Sequence, residues 1–274
     1  MIPITGATVT VGVIGDPVRH SLSPTLHNAA FAALGVDARS LAFPVADGDA
    51  AAAVEAMRTL GIRGLSVTMP HKDVVLRAAE RCSPQADALG AANCLVNDDG
   101  VVTAHNTDGD GLVRSLRVES GVDPAGARIV VLGAGGAARS VIEALGRAGA
   151  ADIVVVNRTE ARARVAAELA SPVGRVGSVD AIANADIVVN ATSVGMDAAT
   201  LPSPADLFVD AHTVVDLIYR PLSTPWLDAA RAVGAAGVNG VGMLLHQAAI
   251  QIEHWVGQDA PIDAMRASVA DVIG

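Results

Sequence analysis

Cysteine, the aromatic residues and lysine are all scarce in this chain of 274 residues. Its two cysteines, Cys82 and Cys94, form no CxxC pair and cannot staple a chain of this length, which is typical of a reducing cytoplasm. Aromatic residues supply only 2% of the sequence, so we expect a core of Ala, Val, Leu and Ile. No apolar run approaches the roughly 18 residues of a membrane span. The first residues also lack the pattern of a signal peptide, so we expect a cytoplasmic protein with no membrane partner.

The overall composition and charge exclude several classes of protein. Hydrophobic residues make up 51% and charged residues 18%, as in a globular protein, and the length allows two modest domains or one large one. The net charge of −10 repels phosphate backbones and no basic run offsets it, so we expect no nucleic-acid partner. The seven histidines show no metal-ligand spacing such as HExxH, so we expect no metal.

The scarcity of lysine singles out one position. Of the 19 basic residues, 18 are arginine and the remaining one is Lys72. A lysine amine can give up its proton reversibly, whereas a guanidinium stays protonated in proteins. Lys72 therefore either serves proton transfer or survives by compositional accident, and the motif around it has to decide between the two.

Short β-branched runs alternate with Ala-rich helical stretches, which is typical of an α/β protein with parallel sheets. In the first part of the chain this pattern predicts strands at Val9–Ile14, Ser40–Phe43, Gly64–Val67 and Cys94–Val96. It predicts helices at Pro24–Leu34, Asp49–Leu60 and Asp73–Arg81. Ser23 precedes a proline at the first helical position, so we expect it to be the N-cap of the first helix.

A second α/β series follows a turn-rich break. A predicted helix at Asp108–Glu119 leads into a break at residues 120–126, and we interpret the helix and the break together as the hinge between two domains. Beyond the break the pattern predicts strands at Ile129–Leu132, Ile153–Val156, Val173–Val176, Ile187–Asn190 and Val214–Leu217. Two final helices are predicted at Val241–Val256 and Ile262–Val272.

The first strand after the break runs through a glycine-rich turn into a helix. The turn has the pattern GxGxxA, formed by Gly133, Gly135, Gly136, Ala137 and Ala138. The glycines permit a tight turn and a close approach of a pyrophosphate, and the helix N-terminus offers free N–H groups to it. Any tight turn can use glycine, but the next strand follows in register for a βαβ unit. The pattern therefore predicts a dinucleotide site.

The second strand of that unit ends in Asn157, Arg158 and Thr159 rather than in an acidic residue. An acidic residue there would repel a ribose 2′-phosphate, whereas Arg158 can bind one with two donors. Arg162 and Arg164 add to a local basic cluster on an acidic protein. The alternative is the solvated face of a surface helix. We favour NADP over NAD as the cofactor.

Four other segments are polar where an ordinary α/β domain would have plain turns: residues 15–28, 66–72, 90–94 and 105–111. All but the third lie where a strand runs into a helix. Open α/β sheets bind their ligands at that edge, outside the carboxyl ends of the strands. These segments are therefore candidates for a substrate site.

Together these segments resemble the shikimate dehydrogenase family. The motifs in family order are HSxSPxxHN from His20, VTxPHK from Val67, GAxN from Gly90, NTDxxG from Asn106, the GAGGAA loop, NRT from Asn157, NATSVGM from Asn190 and NGVGM from Asn239. Each motif alone is modest, but eight in order are highly specific, and they extend from about Gly12 to Gly257.

The resemblance implies an α/β fold of two domains. Residues 1–107 would form a substrate-binding catalytic domain with a mainly parallel sheet, and residues 108–240 a Rossmann-type NADP-binding domain. The C-terminal helices, within 241–274, would pack back on the first domain. The implied activity is the reversible, NADP-dependent reduction of 3-dehydroshikimate to shikimate in aromatic amino acid (chorismate) biosynthesis, by a monomer or homodimer.

The resemblance also implies roles for individual residues. Lys72 and Asp108 would form the catalytic pair. The substrate would be bound by Ser21, Ser23 and Tyr219 at its carboxylate, and at its ring hydroxyls by Thr68, Asn93, Asp108 and Gln247. The cofactor set would comprise Gly133, Gly135, Gly136, Ala137, Asn157, Arg158, Thr159, Arg162, Thr192, Gly240 and Met243. Four of these residues also have a structural interpretation: helix capping for the two serines and Asp108, and a turn for Asn93.

Three positions depart from the family pattern and leave alternatives open. Ser66 stands where many relatives carry Asn, Cys94 where Thr is usual, and Asn239 where an acidic residue is common. We interpret Cys94 as packing rather than as a nucleophile. The first two departures leave room for a quinate/shikimate dehydrogenase with relaxed cofactor use. A third alternative is a non-catalytic sensor that binds shikimate-like acids.

Overall fold

The structure, a computed structural model, describes residues 3–273. Contacts divide the chain into two compact units. The first unit contains the chain up to Thr107 together with Gln247–Val272, and the second contains Asp108–His246 with Ile273. Each unit is built around its own sheet of six strands. The chain is thus an α/β protein, as the sequence predicts.

The first unit alternates strands and helices up to Thr107. Its elements are β1 (Val9–Gly15), α1 (Ser23–Leu34), β2 (Ala38–Pro44), α2 (Ala50–Thr59), β3 (Gly64–Val67), α3 (Lys72–Ala78), β4 (Arg81–Cys82), α4 (Pro84–Leu89), β5 (Cys94–Asp98) and β6 (Val101–His105). The C-terminal part of the unit is helical, comprising most of α9 (Val241–Val256) and of α10 (Ile262–Ile273).

Strand direction in the first sheet brings several chain segments to one edge. The strand order is β2-β1-β3-β5-β6-β4, and β1 is parallel to both β2 and β3. Strand β5 is antiparallel to β3 and to β6, so β6 runs in the same direction as β3. The sheet is therefore mainly parallel, with β5 reversed. As a result, the carboxyl ends of β1, β3 and β6 and the beginning of β5 share one edge.

Helix α9 packs closely on the first sheet because glycine leaves room for its tryptophan. Trp255 is buried, and a Cβ added at Gly64 of β3 would lie only 2.1 Å from the indole Nε1. The indole N–H donates to the carbonyl of Leu95 at 3.0 Å. The ring of His27 from α1 meets the tryptophan edge-on, with ring centroids 4.9 Å apart. Apart from Trp255 and Phe31, the core of this unit consists mainly of aliphatic side chains, as expected from the composition.

The second unit contains a fully parallel sheet. Its elements are α5 (Asp108–Glu119), β7 (Arg128–Leu132), α6 (Gly136–Arg147), β8 (Asp152–Val156), α7 (Glu160–Glu168), β9 (Gly174–Val176), β10 (Ile187–Asn190), β11 (Thr213–Asp216), α8 (Pro225–Ala232) and β12 (Ala236–Val238), with short 3₁₀ turns at Val179–Asn184 and Ala205–Leu207.

The strand order of the second sheet is β12-β11-β10-β7-β8-β9. Numbered from β7, this is the order 3-2-1-4-5-6 of the Rossmann fold, with its reversal point between β7 and β10. In such sheets the dinucleotide lies outside the carboxyl ends of the strands at that reversal point. The Gly-rich turn after β7 is at this position.

Some elements differ from those that the sequence predicts. The short strands β4, β6 and β12 and the helices α4 and α8 are additional. Strand β6 follows a two-residue hairpin turn at Asp99 and Gly100, which both have positive φ, 51° and 90°. The Asp-Gly pair is typical of a hairpin turn and could have predicted β6, which the strand pattern alone did not predict.

The prediction of Ser23 as an N-cap is wrong. Helix α1 already includes Ser23, its N-cap is Leu22, and no side chain caps it. Instead, the hydroxyl of Ser21 accepts a hydrogen bond from the backbone N–H of Ser23 at 3.3 Å. The Ser23 hydroxyl is therefore not used for capping.

The unit boundary lies between His246 and Gln247, inside α9. The first turn of α9 packs on α5, because a Cβ at Gly242 would lie 2.0 Å from Oγ of Ser115. His246 also lies 2.9 Å from Glu119 at the end of α5. These contacts explain why the first turns of the helix group with the second unit.

Candidate active site

The shared edge of the first sheet carries the polar segments that follow β1 and β3. Backbone hydrogen bonds hold the two segments together: Thr68 N–H donates to Ile14 O at 3.0 Å, and Asp16 N–H to Met69 O at 3.0 Å. A Cβ at Gly15 would lie 2.4 Å from the Thr68 methyl group, so glycine permits this close approach. The hydroxyl-bearing Thr68 therefore lies beside the end of β1.

Lys72 is the first residue of α3 and is half-buried. Its carbonyl accepts a hydrogen bond from Ala92 N–H at 2.8 Å, which ties the helix start to the segment before β5. The preceding residue, His71, is buried, and its Nε2 lies 2.8 Å from the carbonyl of Val45. The backbone that carries the single lysine is thus fixed on two sides.

Ser21 and Ser23 lie between β1 and the body of α1. Ser23 is buried and Ser21 is half-buried. The hydrogen bond from Ser23 N–H to Ser21 Oγ orients the two serines relative to each other. Two hydroxyls held in this way can donate to a carboxylate.

Asn93 lies at the beginning of β5 and is joined to the chain that follows β6. The Thr107 N–H donates to Asn93 Oδ1 at 2.8 Å, and Asn93 Nδ2 donates to Thr107 Oγ1 at 3.1 Å. Both residues are buried. Because Asp108 is the next residue after Thr107, this pair of bonds fixes the point in the chain at which the predicted catalytic carboxylate begins α5.

Gln247 joins the same polar network from α9. Its backbone carbonyl accepts from Thr107 Oγ1 at 3.1 Å. Gln251, one helical turn further on, places its Nε2 3.0 Å from Gln247 Oε1 and 3.2 Å from Asn93 O. Thr107 and Gln251 were not predicted as site residues. The spacing of two glutamines by one turn of a helix was the available signal.

Cys94 follows Asn93 and is fully buried in β5. Burial raises the pKa of its thiol far above the ordinary value, which keeps it protonated and unreactive. Cys82, by contrast, is exposed. The interpretation of Cys94 as packing agrees with this environment.

In the second unit, the Gly-rich turn leaves open space in front of helix α6. Gly133 has φ +113°, and a Cβ there would lie 2.9 Å from Ala191 O, so only glycine fits. Cβ atoms at Gly135 and Gly136 would meet nothing within 4 Å. Gly135, Gly136 and Ala137 are exposed at the N-terminus of a helix of 12 residues. This arrangement fits a pyrophosphate.

A pocket of about 340 Å³ lies next to this turn. Six of its lining residues are predicted cofactor residues that follow β7, β8 and β10: Gly133, Asn157, Arg158, Thr159, Arg162 and Thr192. Its apolar wall is formed by Leu132, Val156, Val194 and Pro202. Arg162 belongs to it and Arg164 does not, since Arg164 pairs with Glu160 at 2.8 Å. The pocket combines two guanidinium groups with an apolar wall, which suits a phosphorylated adenosine.

A buried carboxylate supports one wall of this pocket. Asp216 is excluded from solvent at the end of β11, and burial raises the pKa of its carboxyl. It accepts hydrogen bonds from Asn190 Nδ2 at 3.0 Å, Ile218 N–H at 3.1 Å and Thr224 Oγ1 at 2.8 Å. Asn190 Oδ1 in turn accepts from the Thr192 N–H and hydroxyl, at 3.1 and 2.7 Å. Asp216 was not predicted from the sequence.

The other predicted residues of the second unit lie after β11 and at the start of α9. Tyr219 is half-buried and follows Ile218, whose carbonyl accepts from Gly240 N–H at 3.0 Å. A Cβ at Gly240 would lie 2.1 Å from Leu217 O, so glycine is required there. Met243 is partly buried against the core of this unit. Gly240 and Met243 do not line the pocket that contains Arg158.

Two features are absent from the part of the chain that the structure describes. No helix within residues 3–273 has the length and apolarity needed to cross a membrane. No cluster of three or more His, Cys, Asp or Glu side chains suited to a metal ion occurs in the same range.

A Rossmann-ordered sheet, an open glycine turn and an arginine-lined pocket are together the features of a dinucleotide-binding domain. Comparisons with known proteins identify the family. The chain matches the shikimate dehydrogenase substrate binding domain over residues 13–95, shikimate / quinate 5-dehydrogenase over 117–198, and the shikimate 5′-dehydrogenase C-terminal domain over 240–270.

Full-length relatives agree with these domain matches. A shikimate dehydrogenase (NADP(+)) from Moorella thermoacetica is 43% identical over 286 residues, covering 100% of this chain and 97% of the relative. A shikimate dehydrogenase (NADP(+)) from Methanopyrus kandleri is 42% identical, covering 98% of each chain.

Solved structures are similar over nearly the whole chain. Shikimate 5-dehydrogenase from Listeria monocytogenes, in complex with shikimate and NAD, has a TM-score of 0.92 at 37% identity and covers 97% of this chain and 98% of its own. The Thermus thermophilus enzyme with NADP(H) and shikimate has a TM-score of 0.90 at 34% identity, covering 96% and 99%. Quinate dehydrogenase from Corynebacterium glutamicum, with NAD, has a TM-score of 0.90 at 31% identity, covering 97% and 99%. The chain belongs to the shikimate dehydrogenase family.

Proposed function

We propose that this chain is an NADP-dependent shikimate dehydrogenase, which reversibly reduces 3-dehydroshikimate to shikimate in aromatic amino acid (chorismate) biosynthesis. The observation that carries the proposal is the gathering of Ser21, Ser23, Thr68, Lys72 and Asn93 along one edge of the first sheet. Hydroxyls, an amide and one amine at this edge match a small acid that carries several ring hydroxyls. The relatives named shikimate dehydrogenase (NADP(+)) support the same activity.

The second unit would hold the cofactor. The open space in front of Gly135, Gly136 and Ala137 would take the pyrophosphate, and Gly133 makes the turn that exposes it. Arg158 and Arg162 would bind the 2′-phosphate, with Asn157, Thr159 and Thr192 completing the pocket. Gly240 and Met243 would serve the remaining part of the cofactor. When bound, NADP(H) supplies or accepts a hydride at the substrate carbon.

Lys72 would act on the oxygen at which the substrate reacts. As the ketone is reduced, negative charge builds on that oxygen, and the Lys72 ammonium would stabilise it and donate a proton. In the oxidation direction the amine would take the proton back. Asp108 would orient the amine and accept a hydrogen bond from the reacting hydroxyl, and the Asn93–Thr107 pair fixes the chain immediately before it.

The remaining polar residues would position the substrate. Ser21 and Ser23 would donate hydrogen bonds to the carboxylate, and Tyr219 would close that end. Thr68, Asn93 and Gln247 would bind ring hydroxyls. Residues 1–107 would form the core of the substrate domain, and the helices within 241–274 would return to it. Residues 108–240 would form the NADP domain. We also propose a cytoplasmic monomer or homodimer.

Initial rates with four substrate pairs test this proposal. Shikimate and quinate are each assayed with NADP⁺ and with NAD⁺, following absorbance of the reduced nicotinamide. The proposal predicts that shikimate with NADP⁺ has the highest kcat/KM. Quinate is included because the Corynebacterium glutamicum quinate dehydrogenase is structurally similar and because Ser66 lies buried in β3. Equal rates with quinate would favour the broader enzyme, and shikimate binding without turnover would favour a sensor.

A further inference from the structure

Two glutamines lie one turn apart on α9 and contact each other. Gln251 is fully buried, and its side-chain Nε2 lies 3.0 Å from Oε1 of Gln247. The same Nε2 lies 3.2 Å from the backbone carbonyl of Asn93. Gln247 is a proposed substrate ligand, so any role of Gln251 in recognition rests on the proposed function.

The partners of Gln251 determine which end of its amide faces the network. A side-chain amide can be turned end for end, and its hydrogen-bond partners decide which orientation is stable. The carbonyl oxygen of Asn93 can only accept, so Gln251 must present its NH₂ group there. That NH₂ also faces Gln247, which must therefore present its oxygen. The Nε2 of Gln247 therefore lies at the opposite end of its amide, and this group can only donate.

A second set of hydrogen bonds anchors Gln247 through Thr107. The Thr107 backbone N–H, which can only donate, lies 2.8 Å from Asn93 Oδ1 and so fixes the orientation of the Asn93 amide. Asn93 Nδ2 then donates to the Thr107 hydroxyl at 3.1 Å. The hydroxyl donates its own proton to the backbone carbonyl of Gln247 at 3.1 Å. A backbone N–H can only donate and a backbone carbonyl can only accept, so these backbone groups set the direction of every hydrogen bond in the network.

The oxygen of the Gln251 amide, unlike its NH₂ group, makes no hydrogen bond among the described residues. This Oε1 is also buried. An unsatisfied buried acceptor destabilises a fold by about 1–3 kcal/mol. An apolar side chain of similar length, such as methionine, would avoid this cost. The presence of an amide at this position is therefore explained by its NH₂ group, which orients the side chain of Gln247.

We infer that Gln251 is a positioning residue that fixes Gln247 as a hydrogen-bond donor to the substrate. The substrate must then place an accepting oxygen, either hydroxyl or carbonyl, opposite Gln247. This would make the pair a determinant of specificity, because a group that only donates would meet a donor there.

A double-mutant cycle with a polarity test examines this inference. The variants are Gln251→Met, Gln247→Met, the two combined, and Gln247→Glu, with Gln258→Met as the matched control at an exposed position. For each variant, kcat and KM for shikimate are measured at saturating NADP⁺, together with the thermal midpoint. Turnover by the wild-type chain tests the proposed function, whereas the ratios between variants test Gln251.

Gln251→Met should raise KM about fivefold with kcat nearly unchanged, the signature of lost binding, and should not lower the thermal midpoint. In the Gln247→Met background the same change should have no further effect. Gln247→Glu, which offers an acceptor in place of the donor, should fall at least about fivefold below Gln247→Met in kcat/KM. Gln258→Met should leave KM unchanged.

The inference is overturned if Gln251→Met raises KM by the same factor in both backgrounds, because Gln251 would then act independently of Gln247. It is also overturned if Gln247→Glu equals or exceeds Gln247→Met, because Gln247 would then act as an acceptor. The second comparison requires no change at Gln251, so it decides the polarity even where Gln251→Met fails to fold.

Discussion

Asn190 donates a hydrogen bond of 3.0 Å from Nδ2 to Oδ1 of Asp216, a carboxylate excluded from solvent. Through Asn190 the carboxylate holds Thr192 in the wall of the pocket proposed for the cofactor, and through Ile218 N–H it holds the segment that leads to Tyr219. One buried group therefore supports residues proposed to bind both the cofactor and the substrate.

Replacement of Asp216 should show this double role. Asp216→Ala leaves three buried donors without their acceptor and should lower the free energy of unfolding by about 3 kcal/mol. It should also raise KM for NADP⁺. Asp216→Asn keeps an acceptor for Asn190 and Ile218 and should lose about 1 kcal/mol. Urea unfolding and NADP⁺ titrations measure the two effects, and equal losses in both variants would contradict the assigned contacts.

Substitution of Lys72 tests the proton transfer. Both Lys72→Ala and Lys72→Arg should lower kcat at least about 100-fold, since arginine keeps the charge but does not exchange its proton. Thermal unfolding should change little. Arg77→Ala, on the same helix and in an exposed pair with Asp73, is the control. Near-normal turnover in both lysine variants would rule out this role.

Arg158 should decide between the two nicotinamide cofactors. Arg158→Ala should lower kcat/KM for NADP⁺ by about ten- to one-hundredfold, as expected for lost charged hydrogen bonds, and should leave NAD⁺ nearly unchanged. Arg164→Ala, the same substitution outside the pocket, should affect neither cofactor. An equal loss with both cofactors would mean that Arg158 does not contact the 2′-phosphate.

The Gly-rich turn offers two alanine substitutions with opposite expected outcomes. Gly133→Ala forces a side chain into a positive-φ position beside Ala191 O and should destabilise the fold. Gly135 has φ −82° and open space around its Cβ position, so Gly135→Ala should fold normally. Its KM for NADP⁺ should nevertheless rise, because the methyl group occupies the space proposed for the pyrophosphate. Normal cofactor binding by Gly135→Ala would remove that assignment.

His27 should make stability depend on pH. It is fully buried with Nδ1 2.9 Å from Ser40 Oγ, and burial lowers its pKa from 6.5 to about 3. The unfolded chain binds a proton below pH 6.5 and the folded protein does not, so stability is lost as the pH falls from 6.5 toward 3. The loss should be about 1.4 kcal/mol per pH unit.

Denaturant unfolding between about pH 7 and about pH 4.5 measures this dependence. Carboxyl groups and other histidines also contribute to the slope, so the comparison is made with His27→Gln. This variant keeps a polar group near Ser40 but does not titrate. Its free energy of unfolding should therefore fall less steeply with decreasing pH, by the amount that His27 contributes. Identical slopes would show that His27 is not neutral in the folded protein.

Much of the fold follows from local patterns. The four central strands of the second sheet, β7, β8, β10 and β11, contain continuous runs of Val and Ile, which is the pattern of buried parallel strands. Helix α9 begins at Val241 and ends at Val256, where its apolar periodicity begins and ends. The short strands β4 and β12 have too few residues to produce a periodic signal, and their pairing depends on contacts with distant strands.

The site follows from the sequence less completely, because hydrogen-bond networks are long-range. Arg158 and Arg162 could be assigned from their position after a strand, and both line the pocket. Asp216 and Gln251 could not, because their partners Asn190 and Asn93 are far away in the chain. The error at Ser23 has a local cause: helix α1 begins one residue earlier than the Ser-Pro signal indicates.

Lys72 has a practical consequence beyond its proposed catalytic role. It is the only lysine in the sequence, and its carbonyl is fixed by Ala92 at the start of α3. Reagents that acylate or reductively alkylate side-chain amines thus have a single target. If Lys72 lies in the proposed substrate site, protection of this one lysine by shikimate, measured by mass spectrometry of one peptide, reports occupancy of that site.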